Sequence, residues 1–282
     1  MSTLLSDITN RLAKLSETAS LDASVLLAHI LNRPRSWVVA HPDSVLTAEQ
    51  KEQLRESLSL LESGAPLPHV LGHWEFFGME FDITPDVLIP RPETELLVEK
   101  AISRLHGSPV IRTVADIGTG SGIIAISIAV HAPGLKILAT DISPEALDVA
   151  NRNARKFGVE DKIQFIECDI LPARPEVFST EEHLDLICAN LPYIPTGTLH
   201  SLSIYGREPA LALDGGPDGL DLYRKLLKLA PDWLAPHGLL LLEIEATQGI
   251  RALNLACDTF SEGEIHLHQD LAGHDRLLEI NL

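Results

Sequence analysis

The chain of 282 residues has little that would mark a metal protein, a secreted protein or a membrane protein. Its three cysteines, Cys168, Cys188 and Cys257, stand far apart, with no CxxC pair. That spacing offers neither a zinc site nor a redox motif, and so low a number fits a reducing, cytoplasmic setting. Twelve histidines are present, but without HExxH or Cys/His clustering they give no ground for expecting a metal. No apolar run reaches the roughly 18 residues that a membrane span needs. The stretch MSTLLSDITNRLAKL lacks a basic start followed by a long apolar segment, so no signal peptide is expected. Basic residues are scarce: 22 Lys and Arg stand against 40 Asp and Glu, a formal net charge of -18. A general electrostatic footprint for nucleic acid is therefore missing, and no stable nucleic-acid partner is expected. Internal repeats and low-complexity segments are also absent. What is there is 45% hydrophobic, enough for a sizeable core in one large domain, or one large and one small.

Residues 1–72 read as helices. Leu4, Leu5, Ile8, Leu12 and Leu15 recur at helical spacing. The stretch Ser20 to Asn32 has a cap candidate in Ser20, and Leu46 to Gly64 opens on Thr47 as a cap and stops at the glycine. At His73 the pattern changes. Alternating aromatics and a turn at Gly78 predict a β-hairpin in a linker over 73–90. A helix is predicted from Pro90 to Leu105, since proline is tolerated in a first turn and acids there suit the helix dipole. From Val110 onward apolar runs alternate with helical stretches: VIRTVADIG, LKILATDIS, KIQFIECDI, LDLICAN and GLLLLEIEA. The tail adds two short strands about a turn at Gly273. The expected class is α/β, a mainly parallel sheet with helices on both faces.

The chemistry gathers at the strand ends. ADIGTGSG, Ala115 to Gly122, is a strand running into a glycine-rich turn and then a helix. Such a turn lets backbone pass close to a ligand, and the helix start offers free N–H groups. Gly118, Thr119, Gly120, Ser121 and Gly122 are its candidate ligand contacts. The next strand ends in Asp141, about 20 residues on, where a carboxylate can accept from ribose hydroxyls. The third ends in CDI, where Asp169, beside Ile170, can accept from an adenine amino group. An adenosine ligand across the strand ends is implied. NAD is one candidate, but Ile123 stands where a full GxGxxG would have its third glycine, and a nicotinamide enzyme leaves the fourth strand end unexplained. That end carries Asn190, Leu191, Pro192 and Tyr193. The Asn190 side-chain oxygen and the Leu191 carbonyl can each accept a hydrogen from one substrate NH₂ group. Pro192 stiffens the turn, and Tyr193 offers a face to a planar substrate.

These residues together resemble the motif set of S-adenosylmethionine-dependent amino-group methyltransferases. Three longer segments narrow the resemblance: PHVLGHWEFFGMEFDITPDVLIPRPETELLVE, YGREPALALDGGPDGLDLYRKLL and DLAGHDRLLEI. With them the whole chain resembles the peptide chain release factor glutamine methyltransferase family. That resemblance implies a Rossmann-like, seven-stranded methyltransferase domain over 91–282, with S-adenosyl-L-methionine as cofactor. It implies a helical substrate-recognition domain over 1–72, release factors as the protein partner, and methylation of the glutamine of their Gly-Gly-Gln motif. The chain is taken as a monomer. Arg91 and Glu93 are read either as residues closing over the cofactor, which the resemblance implies, or as an ion pair at a helix start. Two positions depart from the family pattern: Leu191 stands at the first proline of Asn-Pro-Pro-Tyr, and Glu245 at a usual glycine. Asn-Leu-Pro-Tyr also resembles the motif of ribosomal RNA adenine dimethyltransferases. An N6-adenine methyltransferase acting on RNA or DNA is therefore the alternative.

Overall fold

The computed structural model describes residues 3–107, 112–172 and 183–282. The chain divides into two units, Met1–His73 and Trp74–Leu282.

The first unit is helical: α1 (Leu4–Leu12), α2 (Ala19–Leu31), α3 (Arg35–Ala40), α4 (Ala48–Glu62) and α5 (Leu67–Leu71). Its core is the set of apolar residues that recur at helical spacing, including Ile8, Leu12, Leu26, Leu27, Leu54 and Leu58. Thr47 and Gln50 form a reciprocal capping box at the start of α4. The left-handed Gly64, at φ 100°, follows its end. Ser20 is not the cap expected of it. The helix α2 already begins at Ala19, with Thr18 in the cap position and no side-chain bond to the first turn.

A hairpin follows, of β1 (His73–Phe76) and β2 (Met79–Asp82), which lies in the second unit from Trp74 onward. Its turn residues Phe77 and Gly78 both have positive φ, 53° and 70°, the hand that matches strand twist in a two-residue turn. The next helix, α6 (Thr94–Gly107), starts four residues later than Pro90. Two causes act together. Ile89 and Arg91 each precede a proline, which disfavours helical backbone there. Both also bind one carboxylate: Ile89 N donates to Glu208 Oε2 at 2.8 Å, and Arg91 Nη2 to Oε1 at 2.6 Å.

The remaining elements alternate as the apolar runs predict: β3 (Thr113–Ile117), α7 (Ile123–His131), β4 (Lys136–Asp141), α8 (Pro144–Lys156), β5 (Ile163–Glu167) and β6 (Leu184–Ala189). After them come the short α9 (Thr196–Leu199), then α10 (Asp221–Trp233), β7 (Leu234–Glu243), α11 (Gly249–Thr259), β8 (Glu264–Gln269) and β9 (Asp275–Asn281). Val110 and Ile111 of the first predicted strand lie outside the described residues. The seven strands form one sheet in the order β5-β4-β3-β6-β7-β9-β8. Strands β3 to β7 pair in parallel, while β9 runs antiparallel to β7 and β8. Side chains alternate between two cores. Val114, Leu186, Cys188 and Leu241 pack on the side of α6, α7 and α8, whereas Ala115, Ile117, Ile187 and Leu242 pack on the side of α10 and α11. Both faces are covered, so the strands read as continuous apolar runs. The fold is the Rossmann-like, seven-stranded methyltransferase architecture.

Candidate active site

Strand β3 has β4 on one side and β6 on the other. The connections leave in opposite directions there, which opens a crevice beyond the carboxyl ends of these strands. A cavity of about 250 Å³ occupies it, lined by Gly118, Gly120, Asp141, Asp169, Ile170, Asn190, Leu191 and Pro192. Val87, Leu88, Ile142, Leu211 and Leu222 supply its apolar wall. Eight of the sequence-predicted site residues therefore meet at one cavity. Thr119, Ser121, Gly122 and Tyr193 are not in its wall.

The glycine turn is built from beneath. Asp116, wholly buried at the end of β3, accepts from Thr119 Oγ1 at 2.7 Å and from Ala125 N at 3.0 Å. Burial pushes its carboxyl up to about 6, against the pull of those two bonds. Thr119 is thus a brace under the turn, 3% exposed. Gly122 caps α7 at φ 85°, and a Cβ there would stand 2.7 Å from Ile126 Cδ1 and 3.2 Å from Ala150 Cβ. Only glycine lets α7 and α8 pack this closely around the turn. Asn153, buried in α8, donates to Ser121 O at 2.9 Å and to Asp82 O at 3.1 Å, while accepting from Asp82 N at 2.8 Å. One amide thereby ties the hairpin to the glycine turn.

Asp141 ends β4 as expected. Its Oδ2 accepts from Gly120 N and its Oδ1 from Ser143 N, both at 2.9 Å. Burial raises its pKa, and these backbone bonds oppose the rise. Asp169 lies past the end of β5, which stops at Glu167, and forms an ion pair with Lys225 of α10. Ile170 holds φ at 74°, a strained state for a β-branched residue, with its carbonyl fixed by Thr140 Oγ1 at 2.7 Å.

The Asn190 loop is held by four supports that sequence patterns did not reveal. Asn190 Nδ2 donates to Thr94 Oγ1 at 3.0 Å. The Tyr223 hydroxyl, wholly buried, donates to the carbonyls of Leu191, at 3.1 Å, and Glu243. Gln248 Nε2 donates to Tyr193 O at 2.9 Å. The GGPDG segment supplies the last support: Ile194 N donates to Leu213 O, and Gly215 N returns to Ile194 O. A Cβ on Gly219, at φ 80°, would stand 2.2 Å from Tyr193 O. Glu243, at the end of β7, is 3% exposed, and its buried Oε2 stays unpartnered. Burial pushes it up to about 7, and the Glu93 carboxylate adds to this; Thr94, Arg276 and Asn190 pull it down. The same surroundings push the Tyr193 hydroxyl up to about 12, burial first and the Glu243 charge second.

The comparisons with known proteins can now be set beside this geometry. The model of the PrmC N-terminal domain matches residues 3–72, and a methyltransferase-domain model matches residues 112–240. A release factor glutamine methyltransferase of Moorella thermoacetica is 41% identical over 261 residues, 92% of this chain and 90% of that protein. The chain belongs to the release factor glutamine methyltransferase family. Another release factor glutamine methyltransferase, from Rhodopirellula baltica, is 36% identical over 270 residues, 94% of this chain and 90% of that protein. The solved T. thermophilus 16S rRNA N2 G1207 methyltransferase in complex with AdoMet and guanosine shares the fold, with a TM-score of 0.52 at 18% identity. That match covers 74% of this chain and 49% of the other.

The two departures from the pattern of the release factor glutamine methyltransferases have physical accounts. Leu191 is 3% exposed and fills the space over Gly118, where its Cδ2 would meet an added Cβ at 3.0 Å. The turn loses one proline but is braced by Tyr223, Gln248 and the GGPDG segment. Glu245 accepts from Thr247 N at 2.8 Å and caps a short 3₁₀ turn, outside the cavity wall. Arg91 and Glu93 do not pair with each other as an ion pair at the helix start. Arg91 binds Glu208, and Glu93 lies 4.0 Å from Arg276. Arg276 is in turn held by Asp270 at 2.9 Å, which ties the DLAGHDR segment to the start of α6.

Proposed function

We propose that this family member transfers a methyl group from S-adenosylmethionine to the side-chain amide nitrogen of the glutamine in the Gly-Gly-Gln motif of translation release factors. The family is one of methyltransferases with this donor. The residues present suit it: the carboxylates of Asp141 and Asp169 stand at the wall of a cavity that also takes in Asp86, Ser143, Cys168 and Asn190 beside glycine backbone and aliphatic side chains. Asp141 is assigned to the ribose hydroxyls, Asp169 and Ile170 to the adenine, and the turn from Gly118 to Gly122 to the close approach of backbone. Lys225 shares Asp169 with that ligand. The observation that carries the proposal is the place of Asn190, in the wall of the same cavity as Asp141.

When bound, S-adenosylmethionine supplies a methyl group on a good leaving group. An amide nitrogen is a poor nucleophile because its lone pair is delocalised. The task left to the protein is orientation. Asn190 Oδ1 and the Leu191 carbonyl accept the two hydrogens of the substrate NH₂ group. The Leu191 carbonyl already takes one bond from Tyr223, and its second lone pair serves the substrate. Pro192 stiffens the turn and Tyr193 offers its ring beside the amide. No dedicated base is assigned, since the nitrogen proton becomes acidic as the N–C bond forms. The helices of residues 1–72 are assigned to binding the release factor.

Labelled S-adenosylmethionine offered with a release factor, its glutamine-to-alanine variant and ribosomal RNA tests this. Label on the unaltered release factor alone is the expected result. Label on RNA alone would overturn the proposal in favour of an adenine methyltransferase, a reading that the family and the net charge of -18 disfavour.

A further inference from the structure

The cavity has an inner wall and an outer one. Strand ends and the turns that follow them make the inner wall. The outer wall comes from two stretches that belong to no strand: Asp86, Val87 and Leu88 ahead of α6, and Pro209, Leu211 and Ala212 between α9 and α10. Leu211 lines the cavity and is still 57% exposed, so this second stretch is a strap between the cavity and solvent. Its place depends on how its two ends are tied.

One end is tied to the Asn190 loop. Ile194 N donates to Leu213 O at 3.0 Å, and Thr196 Oγ1 to Asp214 Oδ1 at 2.6 Å. The other end is tied by a single carboxylate. Glu208, whose side chain is 4% exposed, accepts from Ile89 N at 2.8 Å through Oε2 and from Arg91 Nη2 at 2.6 Å through Oε1. Both bonds run one way, since a backbone N–H and a guanidinium only donate. The two wall stretches meet at this junction. Leu88 immediately precedes Ile89, and Pro209 immediately follows Glu208. The proline ring fixes its own φ, at -59°, so the placing of Glu208 sets the direction in which the strap leaves.

Granted that this cavity holds S-adenosylmethionine, we propose that Glu208 is a positioning residue for the donor. With Ile89 and Arg91 it clasps the two outer stretches together and so retains the bound donor. Neither Glu208 nor Arg91 lines the cavity, so both act through the strap and not on the reacting atoms. A weakened clasp therefore speeds departure of the donor and leaves the methyl-transfer step alone. The PRPETE segment acquires a specific task here: its arginine holds the carboxylate that anchors the strap.

The test compares Glu208→Gln, Arg91→Met, their double variant, Arg91→Lys and Asp141→Ala. Turnover is measured on a release factor over a range of S-adenosylmethionine. Dissociation of the labelled donor is followed separately, after a chase with unlabelled donor. Glu208→Gln keeps an oxygen for Ile89 N but turns a nitrogen toward Arg91, and Arg91→Met removes the guanidinium. Each should raise the KM for S-adenosylmethionine and its dissociation rate by about tenfold, the scale of one charge-assisted hydrogen bond. At saturating donor kcat should stay within about 3-fold of wild type, because the reacting groups are untouched. The double variant should lie within about 2-fold of either single one, since both break the same contact. Arg91→Lys should recover the donor KM to within about 3-fold of wild type, since a single nitrogen makes the contact. A merely structural role would lower the active fraction, and so kcat, at unchanged KM and dissociation rate. That result, or wild-type KM and dissociation rate in Arg91→Met and Glu208→Gln while Asp141→Ala binds weakly, overturns the clasp alone. Wild-type donor affinity in Asp141→Ala overturns the placing of the donor in this cavity. If Glu208→Gln fails to fold, Arg91→Met, which leaves the bond from Ile89 in place, decides.

Discussion

Glu243 makes the stability of this protein depend on pH in a direction opposite to ordinary acid denaturation. An unfolded chain releases its proton near 4.5, but the buried carboxyl holds it up to about 7. Between these values the folded state binds more protons than the unfolded one. The stabilisation linked to that proton is therefore complete below pH 4.5 and is lost as pH rises through about 7. The gap from 4.5 to about 7, at about 1.4 kcal/mol per pH unit, amounts to about 3 kcal/mol. Glutamine does not titrate. The stability of wild type minus that of Glu243→Gln should thus fall by about 3 kcal/mol between pH 4.5 and 8. Denaturant unfolding at a series of pH values, followed through Trp74 and Trp233, measures it. The contributions of Asp116 and Glu279 cancel in the difference. Parallel curves for the two proteins would refute the reasoning, since they would mean that Glu243 titrates alike in the folded and unfolded chains. The expected pattern is a variant that gains stability relative to wild type as pH rises from 4.5 to 8.

Other consequences are as direct. Asp141→Ala should weaken S-adenosylmethionine binding by about tenfold or more, the scale of a charge-assisted hydrogen bond, read by calorimetric titration. Unchanged affinity would remove Asp141 from the ribose role. Gly219→Ala forces a methyl to within 2.2 Å of Tyr193 O in a left-handed backbone. It should cost at least about 1–2 kcal/mol from the backbone alone and depress kcat, measured by unfolding and turnover together. Tyr223→Phe leaves the carbonyls of Leu191 and Glu243 without their buried donor, and should cost about 1–3 kcal/mol in urea unfolding, with a lower kcat.

The sequence by itself determined the kind of elements and their order. Side chains along a strand alternate between two faces, and both faces of this sheet are buried, so β4, β6 and β7 announce themselves as apolar runs. Glycine, Asp141 and Asn190 stand where those runs end, and strand ends are where such a sheet exposes polar groups to a ligand. What only the tertiary structure decided is which groups hold these residues still. Thr94 lies 96 positions from Asn190, and Arg91 lies 117 from Glu208. Pairings of that separation have no period, and a threonine or glutamate in an apolar context looks the same whether it is a partner or not. The start of α6 at Thr94 rather than Pro90 was hidden for the same reason, because Glu208 binds Ile89 and Arg91 ahead of it. Local propensity names the elements, whereas a buried polar group must be satisfied by whatever the fold brings beside it, and that neighbour is known only once the chain has closed on itself.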